Sequence, residues 1–282
     1  MPTYLFADDT SIILTGEDID SKIKNAFIKI CLWFGYNGLF VNESKTQLLY
    51  YTLSHNSSIL SNTINITETL NLTLQKSAKF LGIILDTKLN WRNHIDNLLG
   101  QIQKEKWALR NLVKIVTKDS TLAFYHSNIM SRFRYGIILW GRCAFADEVF
   151  IEQKKMIRIL FNRPINSHCK EIFIKHRLLT IPSLYIFETI NFAVIHNFIN
   201  PSNLLPKHGY NSSHHRIDNF KIRLSTSENN VKYSAIQLFN ALPLELRISF
   251  KNEHINIFRK GVKKYCLDKA FYCIKEFIPD II

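Results

Sequence analysis

The period of the hydrophobic pattern changes near residue 90, and no single layer of structure accommodates both halves. From His94 to Lys118 the apolar residues Ile95, Leu98, Ile102, Leu109, Leu112, Val113 and Val116 recur at three and four, which places them on one face of a 3.6-residue helix. Ser120 to Trp140 and Phe150 to Asn162 continue the helical pattern. Upstream the apolar runs are short. Residues 3–16 give an apolar run, a polar turn at Ala7-Asp8-Asp9, then a β-branched run closed by Gly16, which is a hairpin pattern. Asp18 to Tyr36 is an amphipathic helix that Asn37-Gly38 ends. Short β-prone runs follow at Leu39 to Val41, Gln47 to Tyr51 and Lys79 to Leu85, around a polar stretch from Ser54 to Thr73.

The predicted class is α+β, with a hairpin, a helix and short antiparallel strands over residues 1–90 and a helical bundle over 91–165. A mainly helical region completes it over 166–282. There Pro182 to Phe198 and Tyr233 to Ala270 read as helical, the second interrupted at Pro243, and Asn200 to Arg216 has loop chemistry.

Hydrophobic residues make up 46% of the 282, enough to bury a core, and wholesale disorder is excluded. Charged residues or histidines interrupt every apolar stretch before the roughly 18–20 residues of a membrane span, so no membrane partner is expected. The N-terminus carries Asp8 and Asp9 where a signal peptide would be apolar, which predicts an intracellular protein of the nucleus or cytoplasm, not a secreted one. Five scattered cysteines without a Cys-x-x-Cys pair read as reduced thiols. Cys143, His168, Cys169 and His176 fall in one region, yet their spacing matches no compact zinc pattern.

Charge is unevenly placed. Residues 1–90 hold 7 Lys against 8 acids, whereas residues 91–282 hold 29 Lys plus Arg against 15 acids. A basic region of that kind suits a polyanion. Lys106, Arg110 and Lys114, spaced by four, read as a helix flank able to follow phosphates, beside a second helix carrying Lys154, Lys155 and Arg158. On spacing alone each is equally a solvated cation on a helix surface.

Asp8 and Asp9 stand adjacent at the tip of the expected hairpin. An Asp-Asp pair is ordinarily a solvated turn. Held rigidly between two apolar strands, however, it offers the hard oxygen donors that Mg²⁺ takes, and two-metal phosphoryl transfer uses such ions at the attacking and leaving oxygens.

With its flanks, this segment resembles the reverse transcriptases of non-LTR, LINE-like (jockey-type) retrotransposons, in their C-terminal half. Phe6-Ala7-Asp8-Asp9-Thr10 is similar to their motif C, with Phe where Tyr is commoner. Trp33-Phe34, Asn37-Gly38-Leu39 and Val41-Asn42-Glu43-Ser44-Lys45-Thr46 resemble motif D. Phe80-Leu81-Gly82-Ile83-Ile84-Leu85-Asp86 resembles motif E, and Leu89-Asn90-Trp91 with His94-Ile95 resembles the lead-in to the thumb. Tyr135-Gly136-Ile137-Ile138-Leu139-Trp140-Gly141 and Leu238-Phe239-Asn240-Ala241-Leu242-Pro243 are similar to post-thumb signatures.

The resemblance implies part of a polymerase palm over 1–90, a basic helical thumb over 91–165 and a post-thumb region. Asp8 and Asp9 would hold Mg²⁺, and Lys45 would stand near the phosphates of the incoming deoxynucleoside triphosphate. Phe80, Leu81 and Gly82 would form the primer grip. The partners implied are an RNA template and a DNA primer. Lys45 is otherwise a solvated lysine, and Phe80 and Leu81 are otherwise parts of a buried strand. The family's motif A carboxylate, motif B and fingers find no counterpart, because the motif C likeness begins five residues after Met1. The expectation is therefore a fragment silent as an enzyme when alone, with an exposed palm edge that self-associates. The alternative is a non-catalytic nucleic-acid-binding protein that uses only the basic helices.

Overall fold

The computed structural model describes residues 2–51, 63–66, 71–204, 216–218 and 230–278. It is mixed α+β and predominantly helical, with a few short strands. The chain separates into two compact units, residues 1–93 and 94–282.

In the first unit β1 (Thr3–Phe6) and β2 (Asp9–Ile12) pair antiparallel, with Phe6 opposite Asp9. The connection is thus two residues, Ala7 and Asp8, and Ala7 has φ 51°. Positive φ at the first central residue alone is the sign pattern of a type II′ turn, which follows the right-handed twist of the strands. Helix α1 (Ile19–Tyr36) ends as its sequence implies: Gly38 takes φ 68°, and the Leu39 N–H donates back to the Phe34 carbonyl at 2.8 Å.

Beyond α1 the structure departs from the expected strands. Leu39 to Val41 forms none, and Phe40 is 94% exposed. The polar stretch instead supplies two strands, β4 (Thr63–Asn65) and β5 (Asn71–Gln75), beside β3 (Leu48–Leu49) in the order β3-β5-β4. β4 pairs antiparallel, but β3 pairs parallel to β5, against the all-antiparallel expectation. Residues 52–62 and 67–70 of that stretch lie outside the described residues. Ile64, Ile66 and Leu72 point inward to meet Ile23 of α1, with Phe27 and Leu48 packed around them. The run from Lys79 to Leu85 is not one strand either. It folds into a hairpin of β6 (Ser77–Phe80) and β7 (Ile83–Asp86), with Phe80 opposite Ile83. Leu81 and Gly82 both take positive φ, 45° and 83°, as a type I′ turn demands.

The second unit is built from helices. α2 (Arg92–Ile115) is followed by α3 (Lys118–Phe124), which Thr117 caps by accepting the Ser120 N–H. A π-turn at Tyr125–Met130 leads into α4 (Ser131–Arg134) and then α5 (Ile137–Trp140). One long helix was expected over 120–140. It breaks at Tyr135-Gly136, where Gly136 has φ 64° and the Trp140 indole N–H donates to the Tyr135 carbonyl at 3.1 Å. Gly141 follows for a different reason: a Cβ there would lie 2.6 Å from both the Ile137 carbonyl and the Tyr185 ring.

After α6 (Ala146–Leu160) and α7 (Lys170–Lys175), α8 (Ile181–Ile195) runs through the middle of the unit. It is apolar on all sides and packs against α4, α5, α6, α9 (Val231–Asn240), α11 (Ile255–Lys269) and α12 (Ile274–Phe277). α10 (Leu244–Asn252) packs on α11. A division at residue 165 is not one the packing makes. Buried Gln153 of α6 donates to the Leu179 carbonyl at 2.9 Å and accepts the Ile181 N–H at 2.9 Å. Thr180 caps α8 and donates to the Phe271 carbonyl at 2.6 Å. The expected loop at Asn200 to Arg216 begins with a 3₁₀ turn at Pro201–Asn203, and residues 205–215 lie outside the described residues.

Candidate functional site

The two-residue turn sets the carboxylates of Asp8 and Asp9 side by side at the hairpin tip, both exposed. Neither has a hydrogen-bond or ion-pair partner among the described residues. An alanine in the left-handed region costs roughly 1–2 kcal/mol. The strain at Ala7 thus sits directly beside the acids, where strained backbone commonly serves a site. As hard oxygen donors on a short hairpin the pair fits Mg²⁺ in kind, not in number. Among the described residues no group of three or more His, Cys, Asp or Glu gathers to hold a metal. That statement also covers Cys143, His168, Cys169 and His176.

Lys45 ends a 3₁₀ turn, Glu43–Lys45, and its side chain is exposed. The residues around it are structural. Asn42 Oδ1 accepts the Lys45 N–H at 3.1 Å and the Ser44 hydroxyl at 2.8 Å, and Thr46 donates twice to the Asn42 carbonyl. Asn42 and Thr46 therefore hold the turn that presents Lys45, as Asx turns do. At the second hairpin Phe80 and Leu81 are half-buried and Gly82 is exposed.

Asp86, the last residue of β7, was read only as part of a motif, and its function in the fold is specific. Its carboxylate accepts the N–H groups of Lys88, Asn90 and Trp91 at 3.0, 3.1 and 2.9 Å. Those bonds hold a loop in which Leu89 and Trp91 take positive φ. The signal in the sequence is an acid just before a short polar turn.

In the second unit the cations divide. Arg110 and Lys114 are exposed and have no partner among the described residues. Lys106 does not join them. It is buried, and its ammonium lies 2.6 Å from Glu152, which Lys155 also reaches at 2.6 Å. Burial alone would raise the pKa of Glu152, but the bonds and charges of Lys106 and Lys155 outweigh it and hold the carboxyl below its ordinary value. The correction is readable in the sequence: Lys106 stands four after Ile102 and three before Leu109, squarely on the apolar face of α2.

Lys155 is exposed while bound to Glu152. Lys154 is half-buried over the rings of Phe150 and Tyr272, at 4.6 and 5.6 Å from their centroids. Arg158 donates to the Ser167 carbonyl at 3.0 Å. Arg132 likewise binds Gln101 and Glu105, and Arg134 binds Glu188. Much of the basic excess thus serves the fold.

One residue missed by the sequence reading joins the two free cations. Trp107 is 69% exposed, and at 3.6 residues per turn it lies within about 60° of both Arg110 and Lys114 around α2. An aromatic beside cations on one solvent face is how bases and phosphates are met together. Its absence from the apolar periodicity was the available clue.

The two segments likened above to post-thumb signatures contribute mainly to packing, although Tyr135 and Leu139 stay exposed. Trp140 and Phe239 are fully buried, and Asn240 exchanges two hydrogen bonds with the backbone of Ile217, at 2.8 and 2.9 Å. Among the described residues none of the five cysteines forms a disulfide. Among the described residues no helix is long and apolar enough to cross a membrane. No protein-family model, no curated protein and no solved structure matches this chain.

Proposed function

We propose that this chain is the C-terminal palm, thumb and post-thumb portion of an RNA-directed DNA polymerase of the non-LTR retrotransposon type. The observation that carries the reading is the presentation of the Asp8 and Asp9 carboxylates, exposed and without a partner among the described residues, on a two-residue hairpin followed by an amphipathic helix and a second tight hairpin at Leu81-Gly82. In the complete enzyme Asp8 and Asp9 would hold Mg²⁺ together with a carboxylate from another segment. Mg²⁺ there would stabilise charge on the attacking and leaving oxygens. Lys45, on its Asx-held turn, would face the phosphates of the deoxynucleoside triphosphate. Phe80, Leu81 and Gly82 would meet the primer backbone, with the bare Gly82 allowing close approach.

Trp107, Arg110 and Lys114 would hold the RNA template and DNA primer as a duplex. That exposed stripe also favours a second reading, in which the second unit binds nucleic acid without catalysis.

A primed RNA template tests both. Binding by the chain as it stands should weaken steeply as salt rises, and Arg110→Ala with Lys114→Ala should flatten the salt dependence by about one phosphate each. Binding unaffected by salt or by these changes removes both readings. Mg²⁺-dependent nucleotide addition that Asp8→Ala abolishes would decide for the polymerase and show that the carboxylates present suffice. In a protein completed with the missing palm segment, addition that survives Asp8→Ala would remove the polymerase reading and leave the binding one.

A further inference from the structure

At one end of the second unit the last turns of α2 and α6 meet the first turn of α3 around a cavity of about 260 Å³. Val113, Val116, Leu160 and Phe161 make it largely apolar, and Lys118, Thr121 and Asn162 complete its lining. The His176 ring, just after α7, stacks on Phe161 with centroids 4.0 Å apart. The Lys118 ammonium stands over the Phe161 ring at 4.5 Å. Arg163 and Lys175 are exposed close by, and with Lys118 they are the charges that act on His176. Burial first, then those three cations, holds its imidazole below the ordinary pKa. Every charge in that set is positive.

Cations near helix C-termini have an ordinary explanation, since they complement the helix dipole, and Lys175 in the last turn of α7 fits it. Lys118 begins α3, where a cation is unfavourable for that helix, but its ammonium stands over the ring of Phe161, the residue that ends α6, so that helix's dipole favours it there. What remains to be explained is three cations gathered around one aromatic ring beside a cavity. Asn162 lines the same cavity with φ 49°, exposed and carrying an amide donor and acceptor. The volume lies below the roughly 300–1,000 Å³ of pockets for drug-sized ligands, so it admits one ring system while sugar and phosphate stay outside.

We infer that this cavity takes one unstacked base of a single-stranded nucleic acid, with Phe161 as its stacking surface, Asn162 at its edge, and Lys118, Arg163 and Lys175 on the flanking phosphates. Lys118 leaves the Phe161 face as the base enters, and its flexible stem carries the ammonium out to a phosphate. The inference rests on the nucleic-acid-binding part of the function proposed above and adds a separate single-strand site to it.

The test uses the whole chain and two short RNA strands that differ at one central position, 2-aminopurine in one and an abasic site in the other. The base-bearing strand should bind about tenfold more tightly, with its fluorescence quenched on stacking. Phe161→Ala should erase that preference. Because Phe161 is half-buried and its loss could disturb α6, Val116→Trp provides a second variant. It fills the cavity from a rim position and should also erase the preference, with unchanged thermal melting. Equal affinity for the two strands, or a preference that survives Val116→Trp, overturns the site. Binding of the primed RNA template duplex is measured alongside: its loss in the wild type would count against the function proposed above, whereas the base-against-abasic comparison decides this site alone.

Discussion

The two units dispose of their apolar residues in opposite ways. Among the described residues of the first, six apolar side chains are buried: Ile23, Ala26, Ile64, Ile66, Leu72 and Ile83. Its larger aromatics are largely outside, with Phe6, Trp33, Tyr36 and Phe40 all exposed. The second unit buries Trp140, Tyr125, Tyr185, Phe133, Phe173 and Phe239 almost completely around α8. Apolar composition is therefore no guide to core size. The first unit thus leaves several large aromatics in water beside a small core. The second unit builds a large core of its own, and beside its charges it still exposes scattered apolar residues such as Trp107, Ile115 and Ile165.

The strongest way to break this comparison is inside the second unit. Gln153 is fully buried, and its side chain serves Tyr125, Leu179 and Ile181 together. Gln153→Leu keeps the volume and strands those partners, each at about 1–3 kcal/mol. The expected loss is about 3–5 kcal/mol, read as a lower denaturant midpoint for the second unit. A loss under about 1 kcal/mol would mean that the π-turn, α6 and α8 are not joined as cooperatively as their hydrogen bonds imply.

In the first unit the corresponding substitution is Asp86→Ala. It leaves three N–H groups in a loop where Leu89 and Trp91 already hold positive φ, and a cost of about 2–4 kcal/mol follows. Amide exchange should accelerate through β6 and β7 while the amides of α8 stay protected. Equal acceleration in both units would show that they unfold as one.

These two residues also mark how far the sequence could be read. Helices with three-and-four spacing were legible, so α1 and α2 fall where periodicity puts them, because burial of one face imposes that period. The hairpin at residue 81 was not, since Leu81 is apolar and continues the strand pattern while its backbone takes a conformation that residue type seldom adopts. β4 and β5 were hidden for the opposite reason, in a stretch whose polar composition masks the alternating Ile64, Ile66 and Leu72. At the candidate site, Asp8, Asp9 and Lys45 stand out in the sequence by residue type, and the structure shows all three exposed. Lys106 was misjudged by counting fours along the cations and not along the apolar face, and Trp107 was passed over because it fits no core.

A smaller effect, sensitive to pH, sharpens the contrast in charge. The Glu152 carboxyl is held below its ordinary pKa in the fold, so its contribution is complete above the unfolded value, roughly 4.3, and is lost as pH falls through the lower folded value. Glu188 runs the other way. Burial raises its pKa despite Arg134, and its contribution is present at low pH and lost as pH rises. The Glu152 share is therefore read as the difference between wild type and Glu152→Gln. That difference in melting temperature should be largest near neutrality and shrink below about pH 4. A difference that stays constant down to pH 2.5 would mean that Lys106 and Lys155 do not depend on this charge.

The smallest expected effect is at Ala7, beside the acids of the first hairpin. A residue in the left-handed region costs roughly 1–2 kcal/mol when it carries a Cβ, and glycine, the usual first residue of a type II′ turn, avoids that while losing more chain entropy. The two effects partly cancel, so Ala7→Gly should stabilise the β1–β2 hairpin by about 0.5–1 kcal/mol, seen as slower exchange of the amides that bridge Phe6 and Asp9. Slower exchange would mean that the strain is real, and that the alanine is kept at a cost because it fixes the direction of Asp8. Unchanged or faster exchange would mean that the turn holds Ala7 without strain. Burial of the exposed aromatics, not a relaxed turn, would then be the larger available source of stabilisation for the first unit.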